Sequence, residues 1–84
     1  MDDNLIRLSY NKHTQRFGLI QNGKWIDDSL HCGEVLEIYN EKTNSWEKDR
    51  IEHNGSWYLY YSKLSGNELE GIIARPLYTD YFNY

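Results

Sequence analysis

Two Asn-Gly dipeptides, Asn22-Gly23 and Asn54-Gly55, each stand between runs of alternating apolar and polar residues. A type I′ turn needs positive φ at both central residues, which Asn and Gly tolerate, so each dipeptide commits its flanks to an antiparallel hairpin. The first hairpin joins residues 16–20 to 24–26, and the second joins residues 45–53 to 56–61. Upstream, residues 5–10 place Ile6, Leu8 and Tyr10 on one side and Arg7 and Ser9 on the other, the period of a half-buried strand. In the return strand of the second hairpin Trp57, Leu59 and Tyr61 share one face and Tyr58 and Tyr60 the other. Residues 71–75 form a short last strand stopped by Pro76, which has no N–H to donate. The segments 11–15, 27–33 and 64–70 are loops by composition.

Residues 34–40 are ambiguous. Leu36 and Ile38 alternate as in a strand, while Val35, Ile38, Tyr39 and Lys42 also fit a short amphipathic helix. Gly33 in front and the turn-like stretch 41–44 behind leave little length for a helix, which favours the strand. Six or seven short strands with turn signals every 8–12 residues and no long helix predict an all-β fold, a small SH3-like barrel of about five to seven antiparallel strands.

With 84 residues the chain has room for one domain. The expected layout is a barrel over residues 1–76 and an aromatic tail over 77–84. Leu, Ile, Val and Phe together lie only just above the roughly 20% below which charged chains tend not to fold. Three Trp, eight Tyr and two Phe supply the missing apolar area, since each buried aromatic removes roughly 150–250 Å² from water. An aromatic-rich folded domain is therefore expected. The mean hydropathy is -0.83, and no run approaches the roughly 20 apolar residues of a membrane-crossing helix. The acidic start Met1-Asp2-Asp3-Asn4 is not a secretory signal, so a cytoplasmic location without membrane contact is expected.

A net charge of -4 has the wrong sign for attraction to a phosphate backbone and disfavours duplex DNA as a partner. The ordinary role of such a charge is solubility; the sharper alternative is that the acids between residues 34 and 52 form a face that docks on a basic protein surface. Cys32 is the only cysteine, so no intramolecular disulfide forms and a reducing compartment fits. His13, His31, Cys32 and His53 lack the short paired spacings of a zinc site, and neither metal nor other cofactor is expected. His31 and Cys32 are adjacent and point to opposite sides of an extended segment, so they do not make a nucleophile–base pair with each other. Cys32 with His13 or His53 stays open as a pair, but the ordinary role of such a cysteine, beside Leu30 and Gly33, is a small buried hydrophobe. The six glycines are dispersed one per turn or bulge and build no phosphate loop. The chain is not expected to be an enzyme. An alternative activity is the binding of single-stranded RNA or DNA, with Tyr58 and Tyr60 stacking bases inside a frame of Arg50, Lys63 and Arg75.

Around Ser29-Leu30-His31-Cys32-Gly33-Glu34-Val35-Leu36-Glu37-Ile38, and again at Trp46, Arg50-Ile51-Glu52, Trp57-Tyr58-Leu59 and Gly71-Ile72-Ile73-Ala74-Arg75, the chain resembles an uncharacterised family. Its members are short proteins of Gram-positive bacteria and their mobile elements, classed as a domain of unknown function. Leu-His-Cys-Gly-Glu is the most specific part of the resemblance, which covers roughly residues 5–75. The family lends no catalytic residues, and it implies a small accessory protein carried by mobile DNA. The tail and the 64–70 loop depart from its pattern. The functional expectation is a monomeric, non-enzymatic protein-binding module of a phage or mobile element. Its particular role would be an inhibitor of host defence of the anti-CRISPR kind, set against a basic nuclease. Glu37, Glu47, Asp49 and Glu52 would then supply salt-sensitive attraction, and Tyr78, Tyr81, Phe82 and Tyr84 the apolar anchor, unless the tail instead closes an open end of its own barrel as a lid.

Overall fold

The structure, a computed structural model, describes residues 4–77. Among them are seven strands: β1 (Arg7–Asn11), β2 (Arg16–Gln21), β3 (Lys24–Asp27), β4 (Val35–Asn40), β5 (Ser45–His53), β6 (Trp57–Leu59) and β7 (Ala74–Pro76). One 3-10 turn, Gly66–Leu69, lies in the segment expected to be a loop. The all-β expectation holds. Residues 34–40 are strand, with Leu36 and Ile38 buried as their alternation requires.

The strands make two antiparallel sheets, β1-β2-β3 and β6-β5-β4-β7. The sheets join where the chain approaches β7. The Leu8 N–H donates to the Ile72 carbonyl at 2.8 Å, the Gly71 N–H to the Leu8 carbonyl at 2.8 Å, and the Ala74 N–H to the Ile6 carbonyl at 2.9 Å. The result is one ribbon wrapped around a single core, with β3 and β6 as its edges. The expected barrel is therefore open among the described residues. The final strand is shorter than the expected 71–75 and shifted: it begins at Ala74 and runs through Pro76 opposite Leu36, which puts the missing N–H at the strand's last position.

The first Asn-Gly hairpin has the expected turn, with φ of 53° at Asn22 and 76° at Gly23. At the second, His53 pairs with Trp57 across three residues, and only Gly55 is left-handed. The hairpin forms with a longer loop in place of the two-residue turn. Two further hairpins start on asparagine. The Asn11 Oδ1 accepts from the His13 N–H and the Asn40 Oδ1 from the Lys42 N–H, each at 2.9 Å. These side chains mimic a backbone turn.

Leucine and isoleucine fill the core: Leu8, Leu19, Leu30, Leu36, Ile38, Ile51, Leu59 and Leu69 are buried with Phe17 and Ala74. The expected aromatic-rich interior is corrected here, because Phe17 is the one aromatic buried among the described residues. The other described rings are half-buried or exposed: Trp57 packs against the core beside Leu59, and Tyr39, Trp46 and Tyr58 lie over the outer face. Tyr61 is a second correction. Alternation puts it on one strand face with Trp57 and Leu59, but β6 ends at Leu59 and the chain turns, which leaves Tyr61 65% exposed.

Candidate binding face

Residues paired directly across an antiparallel ladder lie on the same side of the sheet. Register thus sorts the four-stranded sheet. Leu36, Ile38 and Ile51 point inward, so Glu37 and Tyr39 of β4 face outward together with their partners Lys48 and Trp46. Arg75 of β7 lies opposite Glu37, and Glu52 of β5 lies opposite Tyr58. The outer face therefore carries arginines, acids and aromatic rings in alternation.

Each end of this face has an arginine on a ring. At the β7 end the Arg75 guanidinium lies 3.9 Å from the Trp46 ring centre, and its Nε donates to Glu37 Oε1 at 2.8 Å. Tyr39 meets the same indole edge-on at 5.3 Å. At the β6 end the Arg50 guanidinium lies 4.2 Å from the Tyr60 ring centre, and the Lys63 ammonium approaches that ring at 5.1 Å. Arg50 Nε lies 2.7 Å from Glu52 Oε2, yet it has no aligned hydrogen-bond acceptor. Cation–ring contacts at partly exposed sites contribute about 0.5–1 kcal/mol each and fix two otherwise mobile side chains.

Beside Trp46 and Arg75 a cleft of about 520 Å³ opens toward Ile6, Ile73 and Leu77. A second recess, of about 510 Å³, lies across the molecule between Tyr10, Phe17, His53, Trp57 and Glu70. There His53 packs on Trp57 at 4.7 Å, and Arg16 stands 5.7 Å from the same indole. Glu70 is spent on structure in this recess, accepting from the Ser9 hydroxyl at 2.6 Å and the Tyr10 N–H at 2.9 Å.

The sequence-based site residues do not stay together. Glu37 and Glu52 are on the outer face, each beside an arginine. Glu47 lies opposite Ile38, on the other side of the sheet, exposed and accepting from the Asn40 amide at 3.2 Å. Asp49 is a correction: it is 1% exposed and accepts from the backbone N–H groups of Arg50, Tyr61 and Ser62 at 2.8, 2.8 and 3.1 Å. It fastens the turn after β6 and presents no charge to a partner. Tyr58 is half-buried, and Tyr60 sits in the turn between Arg50 and Lys63. Arg75 does not frame them, being at the opposite end of the face. Tyr78, Tyr81, Phe82 and Tyr84 lie outside the described residues. Trp46 was not singled out as a site residue. Counting outward from the turn between Asn40 and Ser45 pairs it with Tyr39 and would have found it.

The Leu-His-Cys-Gly-Glu segment builds a turn. The Leu30 N–H bonds the Phe17 carbonyl on β2 at 2.8 Å, and the Gly33 N–H bonds the Ile51 carbonyl on β5 at 2.7 Å. The motif thus hands the chain from one sheet to the other. Gly33 has φ 87°, and Glu34 Oε1 accepts from the His31 N–H at 2.9 Å. Cys32 is exposed, contrary to the buried role expected of it, because Leu30 already fills the core below. It shares a shallow recess with His53, and no hydrogen bond joins the two among the described residues. Glu34→Ala should lower the unfolding free energy by about 1 kcal/mol, the worth of its hydrogen bond, and Cys32→Ser by less than about 0.5 kcal/mol. Urea titrations of both variants check this, and equal losses would contradict the turn-building role.

Among the described residues no group of three or more His, Cys, Asp or Glu side chains is placed to hold a metal ion. No helix there is long and apolar enough to cross a membrane.

The family model for a domain of unknown function, DUF5348, matches residues 6–76. The chain belongs to the DUF5348 family. A stretch of 45 residues, 51% of this DUF5348 chain, is 40% identical to the probable arabinan endo-1,5-alpha-L-arabinosidase C of two Aspergillus fumigatus strains. The chain spans 14% of the length of those curated relatives. No solved structure matches it.

Proposed function

We propose that this DUF5348 domain is a non-enzymatic protein-binding module that meets its partner with the outer face of β7-β4-β5-β6. The observation that carries the reading is the pair of immobilised arginines, Arg75 on Trp46 and Arg50 on Tyr60. Arg, Trp and Tyr are the residues that dominate binding energy at protein interfaces. Rings and guanidinium groups already held in place lose little side-chain freedom when a partner arrives. The narrower role of inhibitor against a basic nuclease draws on the small size and the charge of -4. It draws less on the acids themselves, since Asp49 is buried and Glu37 and Glu52 stand beside arginines. The arabinosidase similarity spans too little of that enzyme to bring an activity with it. Stacking of nucleic-acid bases is the weaker reading, because Arg50 and Lys63 both approach the Tyr60 ring that a base would need.

The test is selection of a random peptide library on the full chain, followed by mapping of the selected peptides by amide and indole NMR shifts. Shifts at Glu37, Trp46, Lys48 and Arg75, and binding weakened roughly tenfold or more by Trp46→Ala, are expected. Shifts confined to the His53–Trp57 recess would move the binding face. Saturable shifts of Tyr60 with a short oligonucleotide, and none with peptides, would replace the protein-binding reading with the nucleic-acid one.

A further inference from the structure

Resting on the protein-binding reading, we propose that the cleft beside Trp46 is a receptor for a peptide segment that carries one carboxylate next to a bulky apolar side chain. The Arg75 guanidinium is stacked on Trp46 at 3.9 Å and fixed through Nε to Glu37 at 2.8 Å. Its terminal nitrogens have no hydrogen-bond partner among the described residues. A planar fork held at two points is prepared for two parallel N–H···O bonds to a carboxylate, with little further ordering.

The cleft also limits what else enters with that carboxylate. Its wall includes Leu5, Ile6, Ile73, Pro76 and Leu77, which favour an apolar side chain such as Leu or Phe beside the carboxylate. A nucleic-acid strand brings a row of phosphates to a cleft that has one arginine, a neighbouring glutamate and a protein of net charge -4 around it. Coulomb repulsion disfavours that strand, whereas a single carboxylate brings one charge and meets the two terminal nitrogens that the Nε–Glu37 bond leaves over. Glu37 also sets a preference, because it repels a second acid placed immediately beside the first. The expected ligand thus has one acid flanked by apolar residues, not an acidic run.

The test uses synthetic seven-residue peptides with the central position fixed as Asp, Glu, Asn, Gln or phosphoserine and the other positions randomised, incubated with the full chain. Asp and Glu peptides should be retained roughly tenfold or more above their amide counterparts, a ratio of the size expected for a charge-assisted bond. The retained pool should be enriched in Leu, Ile or Phe beside the acid. Arg75→Gln should erase the preference and Arg75→Lys should weaken it, while Lys12→Gln, in the exposed turn between β1 and β2, should leave it intact. An unchanged amide spectrum away from the cleft shows that the variants are folded. Peptides retained equally with acid or amide would overturn the carboxylate receptor and leave the protein-binding module standing. Retention of phosphoserine peptides alone would assign the cleft to phosphorylated segments. Failure of every peptide, here and in the random library, would overturn both readings. Contacts between the Trp46 indole and the rings of residues 78–84, with no response to any peptide, would give the cleft to the chain's own tail and overturn the proposal.

Discussion

Gly18→Ala is expected to remove roughly 3 kcal/mol or more of stability, the upper part of the range for forcing atoms into a packed interior. A Cβ on Gly18 would stand 2.3 Å from the Asp27 carbonyl oxygen and 3.0 Å from the Asp28 carbonyl carbon. Both are backbone atoms, so no side-chain rotation relieves the contact. Nor is the segment free to move as a body. The Asp28 oxygen accepts from the Asn11 amide at 3.1 Å and the Thr14 hydroxyl at 3.3 Å, and two residues on the Leu30 N–H is tied to the Phe17 carbonyl. Shifting Asp27 and Asp28 outward therefore strains the anchor of a core leucine. A domain of this size has roughly 4–12 kcal/mol in all, so the variant should be partly unfolded at 37 °C. Gly23→Ala is the control. Nothing lies within 4 Å of its added Cβ, and φ of 76° alone is unfavourable, which costs about 1–2 kcal/mol. Urea midpoints of the two variants measure the difference, and equal losses would contradict the close approach at Gly18.

Much of the architecture was legible because it is encoded over short distances. Asn22-Gly23 specifies its turn through the φ values of two residues, and Leu36 and Ile38 mark the inner face of β4 by simple alternation. What stayed hidden depends on partners far along the chain. The acids between residues 34 and 52 look like one cluster in sequence. The β4–β5 register puts Glu37 and Glu52 outside and turns Glu47 and Asp49 to the opposite side of the sheet. The Arg75–Glu37 pair joins residues 38 positions apart and exists only because β7 adds to β4. The fate of Tyr61 turned on where β6 stops, and alternation within a strand carries no information about its end. Aromatic content was read as core because rings bury large areas. Here the branched aliphatics fill most inward positions, and Trp46 and Tyr60 are left to pack against arginines outside. The candidate face was thus half legible: its individual residues were visible, and their assembly was not.

Asp49 is where charge in the sequence and role in the fold differ most. Its two carboxylate oxygens accept from three backbone N–H groups, those of Arg50, Tyr61 and Ser62. Asp49→Ala would take that acceptor from all three part-buried donors. Each orphaned donor costs about 1–3 kcal/mol, so a total of roughly 3 kcal/mol or more is expected, comparable with Gly18→Ala. Asp49→Asn separates the contribution of the second oxygen. One amide oxygen can still serve Arg50 and Tyr61, but the new NH₂ would face the Ser62 N–H, donor against donor, and an intermediate loss of about 1–3 kcal/mol follows. Hydrogen exchange locates the damage: the Ser62 amide should lose protection first in Asp49→Asn, with Tyr61, Ile51 and Leu59 retained. Tyr60 rides on this same turn, so its approach to Arg50 should loosen as well, and peptide contacts at the β6 end of the outer face should weaken while those at Arg75 persist. A stable Asp49→Ala protein that binds its partner less tightly would reverse the assignment and return Asp49 to the interface.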